Sequence, residues 1–182
     1  ETAGEAVIES EFYSLKVSEV GVERMYDREL GVELLKEPIK VCSYFCKPHE
    51  WDNWNIMPEY WKHLKGEFKA DKIKVIEGPV YSAAVLQGTV ETSPFTWEIR
   101  VYKPFKRVEF RMWTDWKETR RIVKLWFPVN FKAETCYASI PFAVYPRAFK
   151  PRNKFEEEKW EFPHQKWVCL HGENTNLVVA NW

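Results

Sequence analysis

Trp97-Glu98-Ile99-Arg100-Val101 alternates apolar and charged side chains, and Val108-Glu109-Phe110-Arg111-Met112 repeats the alternation. A period of two puts every second side chain on one face, so both runs predict strands with one buried side. Lys103-Pro104-Phe105-Lys106 between them supplies a hairpin connection. The inward set is expected to include Ile99, Val101, Val108, Phe110 and Met112, joined by Val123, Leu125 and Ile140 from later segments. Further strands are expected at 13–17, 22–26, 41–45, 80–90, 122–127, 136–144, 167–170 and 177–182, with a turn at Asp27-Arg28-Glu29-Leu30-Gly31. One stretch, 58–65, invites a helix: Pro58 stands at its start, Tyr60, Trp61 and Leu64 fall at helical spacing, and Gly66 closes it. Many strands, short turns and no alternation of strand with helix predict an all-β, antiparallel sandwich with one short helix at most.

Composition narrows the partners. A chain of 182 residues that is 45% hydrophobic can bury a core as a single domain, 1–182, or as two small lobes. Its 27 basic and 27 acidic residues cancel, which argues against nucleic acid and against an anionic membrane, since both call for a net basic face. No apolar run approaches the roughly 20 residues of a membrane span. Residues 1–9 are acidic and lack a basic leader, so no signal peptide is read there. Cys42, Cys46, Cys136 and Cys169 fit free thiols in a cytoplasmic protein better than a disulfide framework. Leu177-Val178-Val179-Ala180-Asn181-Trp182 reads as an apolar strand running off the end, the expectation for a fragment of a larger multidomain protein truncated at both ends. A piece cut from its neighbours is expected to expose apolar surface and to self-associate.

Candidate chemistry is sparse. None of His49, His63, His164 or His171 sits in a nucleophile-elbow or triad motif. Cys42 and Cys46, with Cys169 and His171, could in principle hold zinc, but their spacing is not that of a zinc knuckle and suits core packing better. Seven glycines form no phosphate loop. The informative run is His49-Glu50-Trp51-Asp52-Asn53-Trp54-Asn55-Ile56. Indole faces beside carboxylate and amide groups match a sugar, whose C–H face stacks on an aromatic ring while its hydroxyls take hydrogen bonds. The alternative is a loop that Asp52 and Asn53 close by turn formation, with Trp51 and Trp54 packed inward.

Several segments, in order, resemble the β-sandwich region of family 38 glycoside hydrolases, the α-mannosidases. Val7-Ile8-Glu9-Ser10-Glu11-Phe12, followed by the stretch from Val22 to Gly31, resembles that region's opening strand and hairpin. Trp51-Asp52-Asn53-Trp54-Asn55-Ile56 resembles its "WDAWDI" segment, with Asn55 in place of a carboxylate. Asp115-Trp116-Lys117-Glu118 and Leu125 to Pro128 resemble its "DWHE" and following strand. Ser139-Ile140-Pro141-Phe142-Ala143-Val144-Tyr145-Pro146-Arg147 resembles "EIPFGxxxR", with Ala143 where the family has glycine. Glu161 to Val168 and Leu177 to Trp182 resemble the family's last motifs.

The resemblance implies an antiparallel supersandwich of the galactose-mutarotase-like type, and a non-catalytic domain of a retaining enzyme that hydrolyses terminal α-linked mannose. It implies no cofactor in this chain. Zinc and the carboxylate nucleophile would lie in a separate catalytic domain, and no motif for either is present. The implied partners are that domain and, through the parent enzyme, a mannose-containing carbohydrate. Trp51, Asp52, Trp54 and Arg147 are the expected substrate or domain-interface residues, with no catalytic or metal residue among them. Arg147 carries a planar fork suited to a carboxylate. Two other readings stand beside this one: a free-standing carbohydrate-binding module, and a mutarotase- or epimerase-like enzyme needing a histidine and a carboxylate in one concave pocket.

Overall fold

The computed structural model describes residues 4–51, 54–158 and 161–181. The chain divides into two compact units, Glu1–Asn130 and Phe131–Trp182. Both are built from antiparallel strands, so the expected all-β architecture is the observed one.

In the first unit the strands are β1 (Glu5–Glu9), β2 (Tyr13–Ser18), β3 (Gly21–Asp27), β4 (Val32–Glu33), β5 (Lys40–Phe45), β6 (Leu64–Glu67), β7 (Lys69–Glu77), β8 (Tyr81–Val90), β9 (Ser93–Tyr102), β10 (Val108–Thr114) and β11 (Arg121–Trp126). They form three sheets, in the orders β1-β2-β3-β4, β10-β9-β8-β7 and β11-β5-β6. The first two sheets meet over one core. Ile8, Leu15, Val17 and Val22 come from one side, and Leu86, Val90, Trp97, Ile99 and Val101 from the other, all fully enclosed. Trp97 sits at its centre, edge-on to Phe68 and Phe110 at ring-centroid separations of 6.0 and 5.7 Å.

Alternation explains most of this. Ile99 and Val101 are buried as expected, and Val108, Phe110 and Leu125 pack against the core. Met112 and Val123 are exposed instead. Both lie on strands at the rim of a sheet, where the inward face runs past its cover. The expected helix at 58–65 is one turn of 3-10 helix, Tyr60–Lys62, after which Leu64 enters β6. Tyr60 packs edge-on against Tyr44, 5.5 Å away, and with Cys42 forms a small separate cluster behind β5.

The outer face of β9 and β10 is charged. Arg111 stands directly opposite Glu98, and Glu109 opposite Arg100. Within each strand Arg100 grips Glu98 through two 2.9 Å bonds, and Arg111 Nε donates to Glu109 at 3.1 Å. Both carboxylates are buried, so these pairs satisfy groups that would otherwise lose their hydration uncompensated.

The second unit is one sheet, β13-β12-β14-β15, from β12 (Ala133–Ile140), β13 (Ala143–Ala148), β14 (Trp167–Gly172) and β15 (Asn176–Ala180). A single-turn helix α1 (Lys154–Glu157), capped by Asn153, interrupts the connection from β13 to β14; the sequence reading had not foreseen it. The strand expected at 136–144 is in fact β12 and β13 joined by a tight turn at Pro141 and Phe142. Phe142 takes the left-handed conformation, φ 64°, and is fully exposed. The left-handed position thus falls one residue before Ala143, which stands where the family has glycine, and Phe142 bears the cost.

Candidate functional site

The loop after β5 presents the two tryptophans outward. Trp51 is 61% and Trp54 73% exposed, and neither belongs to a core cluster. Their rings stack on each other, centroids 5.6 Å apart and planes 13° from parallel. The backbone makes this possible. Trp51 adopts φ 61°, and its carbonyl accepts from the N–H groups of Trp54 (3.0 Å) and Asn55 (2.8 Å). Asn55 Nδ2 donates to the Glu50 carbonyl at 3.0 Å, closing the loop on its other side. Downstream, Ile56 and Met57 pack on the Cys42–Tyr44–Tyr60 cluster, and the Met57 N–H reaches Cys46 Sγ at 3.3 Å. The loop is thus tied down by its ends and its backbone, which leaves both indoles available. Asp52 and Asn53, the polar pair that carried half of the sequence argument, lie outside the described residues.

Bulky residues seldom occupy a left-handed position, which costs on the order of 1 kcal/mol or more. Here the cost goes into holding an aromatic pair in water rather than into the core. Two parallel indoles offer a flat, apolar ledge whose N–H edges can still bond. Such a ledge suits the C–H face of a pyranose or an apolar residue of another domain.

Arg147 lies in the second unit, on β13. Its guanidinium sits 4.5 Å from the Tyr145 ring and 4.9 Å from the Phe162 ring. Its Nε is buried and has no acceptor among the described residues. Glu156, the nearest acidic candidate by sequence, is taken by Arg152 at 2.7 Å. Arg147 thus ties the Phe162 segment to its own strand through ring stacking. The tryptophans and Arg147 fall in different units.

A further feature escaped the sequence reading. One face of the second sheet carries an apolar hollow of about 430 Å³ lined by Tyr137, Val144, Trp167, Cys169, Val178 and Ala180. Cross-strand register explains it: Tyr137 faces Cys169, which faces Val178 on β15. The signal was the period-two spacing of Trp167 with Cys169 and Val178 with Ala180, hidden by apolar residues at the intervening positions as well. Among the described residues no carboxylate lines the hollow, so the histidine-and-carboxylate pocket of an epimerase gains no support from it. Among the described residues, no three of His, Cys, Asp and Glu come together closely enough to hold a metal ion. No helix among them is long and apolar enough to cross a membrane.

Comparison with curated proteins finds no match. A family profile does match: residues 8–182 fit the glycosyl hydrolases family 38 C-terminal domain, which spans both units and the indole loop. With the all-β architecture described above, that match over nearly the whole chain places it: the protein belongs to glycosyl hydrolase family 38, as the C-terminal domain of that family.

Proposed function

We propose that this chain is the non-catalytic β-sandwich domain of a retaining α-mannosidase that removes terminal α-linked mannose. In this reading it supports a zinc-dependent catalytic domain lying outside these residues, and the Trp51–Trp54 ledge faces that domain close to its sugar pocket. The observation that carries the reading is the pair of stacked, exposed indoles, held out of the core by a loop braced at both ends. A protein gains nothing in stability from two tryptophans in water, and such apolar surface marks a contact. The four free cysteines agree with a cytoplasmic setting for the parent enzyme.

The test compares two proteins. The isolated chain, supplied with zinc, should leave an aryl α-mannoside unhydrolysed. The full-length enzyme carrying Trp54→Ala should lose about tenfold in kcat/KM, the loss expected from misplacing part of a sugar site or its supporting contact. Zinc-dependent turnover by the isolated chain, or full activity in the Trp54→Ala enzyme, would overturn the proposal.

A second reading is favoured by the same exposed ledge: direct carbohydrate binding by this domain. It requires that the isolated chain bind an α-linked mannose oligosaccharide and that Trp51→Ala remove the binding. Titration of the intrinsic tryptophan fluorescence with the oligosaccharide separates the two readings.

A further inference from the structure

The sheet β10-β9-β8-β7 ends in two edge strands, and they are built differently. On β7 a bulge between Ala70 and Lys72 interrupts the ladder, and Lys69, Lys72 and Lys74 are exposed along the strand. Exposed lysines and a bulge keep a further strand from adding. β10 has neither. Its seven residues pair with β9 in unbroken register and include no lysine, proline or glycine. Among the described residues, no backbone–backbone hydrogen bond joins β10 to anything but β9. Arg111, Met112, Trp113 and Thr114 are exposed along it.

The residues of β10 are also their own complement. When two copies are laid antiparallel and centred on Phe110, Glu109 of each strand faces Arg111 of the other, so the ion pair forms twice. Arg107 and Trp113 face each other on the same side, and a guanidinium over an indole is attractive. On the opposite side Phe110 meets its own copy and Val108 meets Met112. Facing residues lie an even number of positions apart, so those whose N–H and C=O point outward meet others that also point outward. Neighbouring registers fail. Centring on Arg111 sets the two arginines against each other, and centring on Glu109 does the same to the two glutamates. Arg111 Nε donates to Glu109 of its own strand at 3.1 Å and the side chain is 44% exposed, so its terminal N–H groups can take a second carboxylate.

We propose that the chain pairs with a second copy of itself through β10, joining two four-stranded sheets into one of eight strands about a two-fold axis at Phe110. A two-fold contact must be self-complementary, and the charge order of β10 meets that condition in this register. The pairing satisfies the outward backbone groups of both edges and covers Met112 and Trp113, which one copy leaves at the rim of its sheet. It is independent of the Trp51–Trp54 ledge.

Sedimentation velocity of the intact chain, from about 1 to 100 μM, should show a monomer–dimer equilibrium. Arg111→Glu sets glutamate against Glu109 at both ends of the contact and should abolish the dimer. That variant also sets glutamate opposite Glu98 within the chain, so two milder ones carry the test if it fails to fold. Trp113→Lys, at an exposed side chain, brings lysine against Arg107 and should weaken the dimer by about tenfold or more, since each substitution acts twice across the axis. Trp113→Glu brings a carboxylate to the same place and should associate about tenfold or more tightly than Trp113→Lys. Val178→Lys, on the edge strand β15, should leave the dimer unchanged. A chain that stays monomeric throughout would overturn the proposal. So would equal association of the two Trp113 variants, or loss of the dimer in Val178→Lys.

Discussion

The two units solve the problem of a β-sheet's apolar face in different ways. In the first unit, sheets cover one another, and all but two of the buried apolar side chains among the described residues lie there. In the second, a single four-stranded sheet buries only Cys136 and Ala138 to that degree, and β13 is exposed along nearly its whole length. A fold with an enclosed core has stability to spare for unusual conformations such as Trp51. A lone sheet has little internal reserve, and it leaves Val144, Tyr145 and Val178 exposed.

The largest test of this contrast is Trp97→Ala. Removing the indole at the centre of the first core leaves a cavity ringed by Phe68 and Phe110, and should cost about 3–5 kcal/mol in denaturant unfolding. Next comes the carboxylate that joins two sheets of that unit. Glu91 accepts from Arg121 Nε at 2.9 Å and from the Ser43 hydroxyl at 2.6 Å. The Arg121 bonds, aided by Ser43, hold its carboxyl below the usual carboxylate range. A carboxyl lowered in the folded state contributes stability that is complete above the unfolded value, near 4.5, and is lost as pH falls through the folded value. Glu91→Gln should therefore cost about 2 kcal/mol at neutral pH and flatten the acid limb of the stability profile below pH 4.5.

Smaller effects are expected in the second unit. Trp167→Ala, at a side chain lining an open hollow, should cost about 1 kcal/mol. If hydrogen exchange showed the second sheet as protected as the first, or if Trp167→Ala matched Trp97→Ala, the contrast between the units would fail. The smallest effect belongs to the ledge. Trp54→Ala in the isolated chain should change stability by less than about 0.5 kcal/mol, since the ring touches little beyond Trp51. A loss of several kcal/mol would make Trp54 structural and remove it from the candidate site.

How far the sequence could be read depends on what alternation reports. It says which side chains share a face, not whether that face is covered. Ile99 and Met112 carry the same signal, yet one is sealed and the other open at a sheet's rim. β7 escaped notice because a bulge between Ala70 and Lys72 breaks the period of two in Lys69-Ala70-Asp71-Lys72-Ile73. The turn at Pro141 and Phe142 was read through as strand because a left-handed phenylalanine is no turn signature. At the candidate site, hydrophobicity alone leaves open where Trp51 and Trp54 point. The positive φ at Trp51 that turns the pair outward has no mark in the sequence.

The charged face of β9 and β10 has a consequence for how the chain finds its pairing. Glu98, Arg100, Glu109 and Arg111 act as a vernier. In the native register each arginine faces a glutamate on the neighbouring strand. A slip of one residue would turn the charges into the core. A slip of two keeps the faces right but sets Arg111 against Arg100 in one direction and Glu109 against Glu98 in the other. Apolar packing between Val, Ile and Phe tolerates such a two-residue error far better than like charges held opposite each other out of water do. The hairpin thus proofreads itself, rejecting from its outer surface the misalignments that its inner surface would accept.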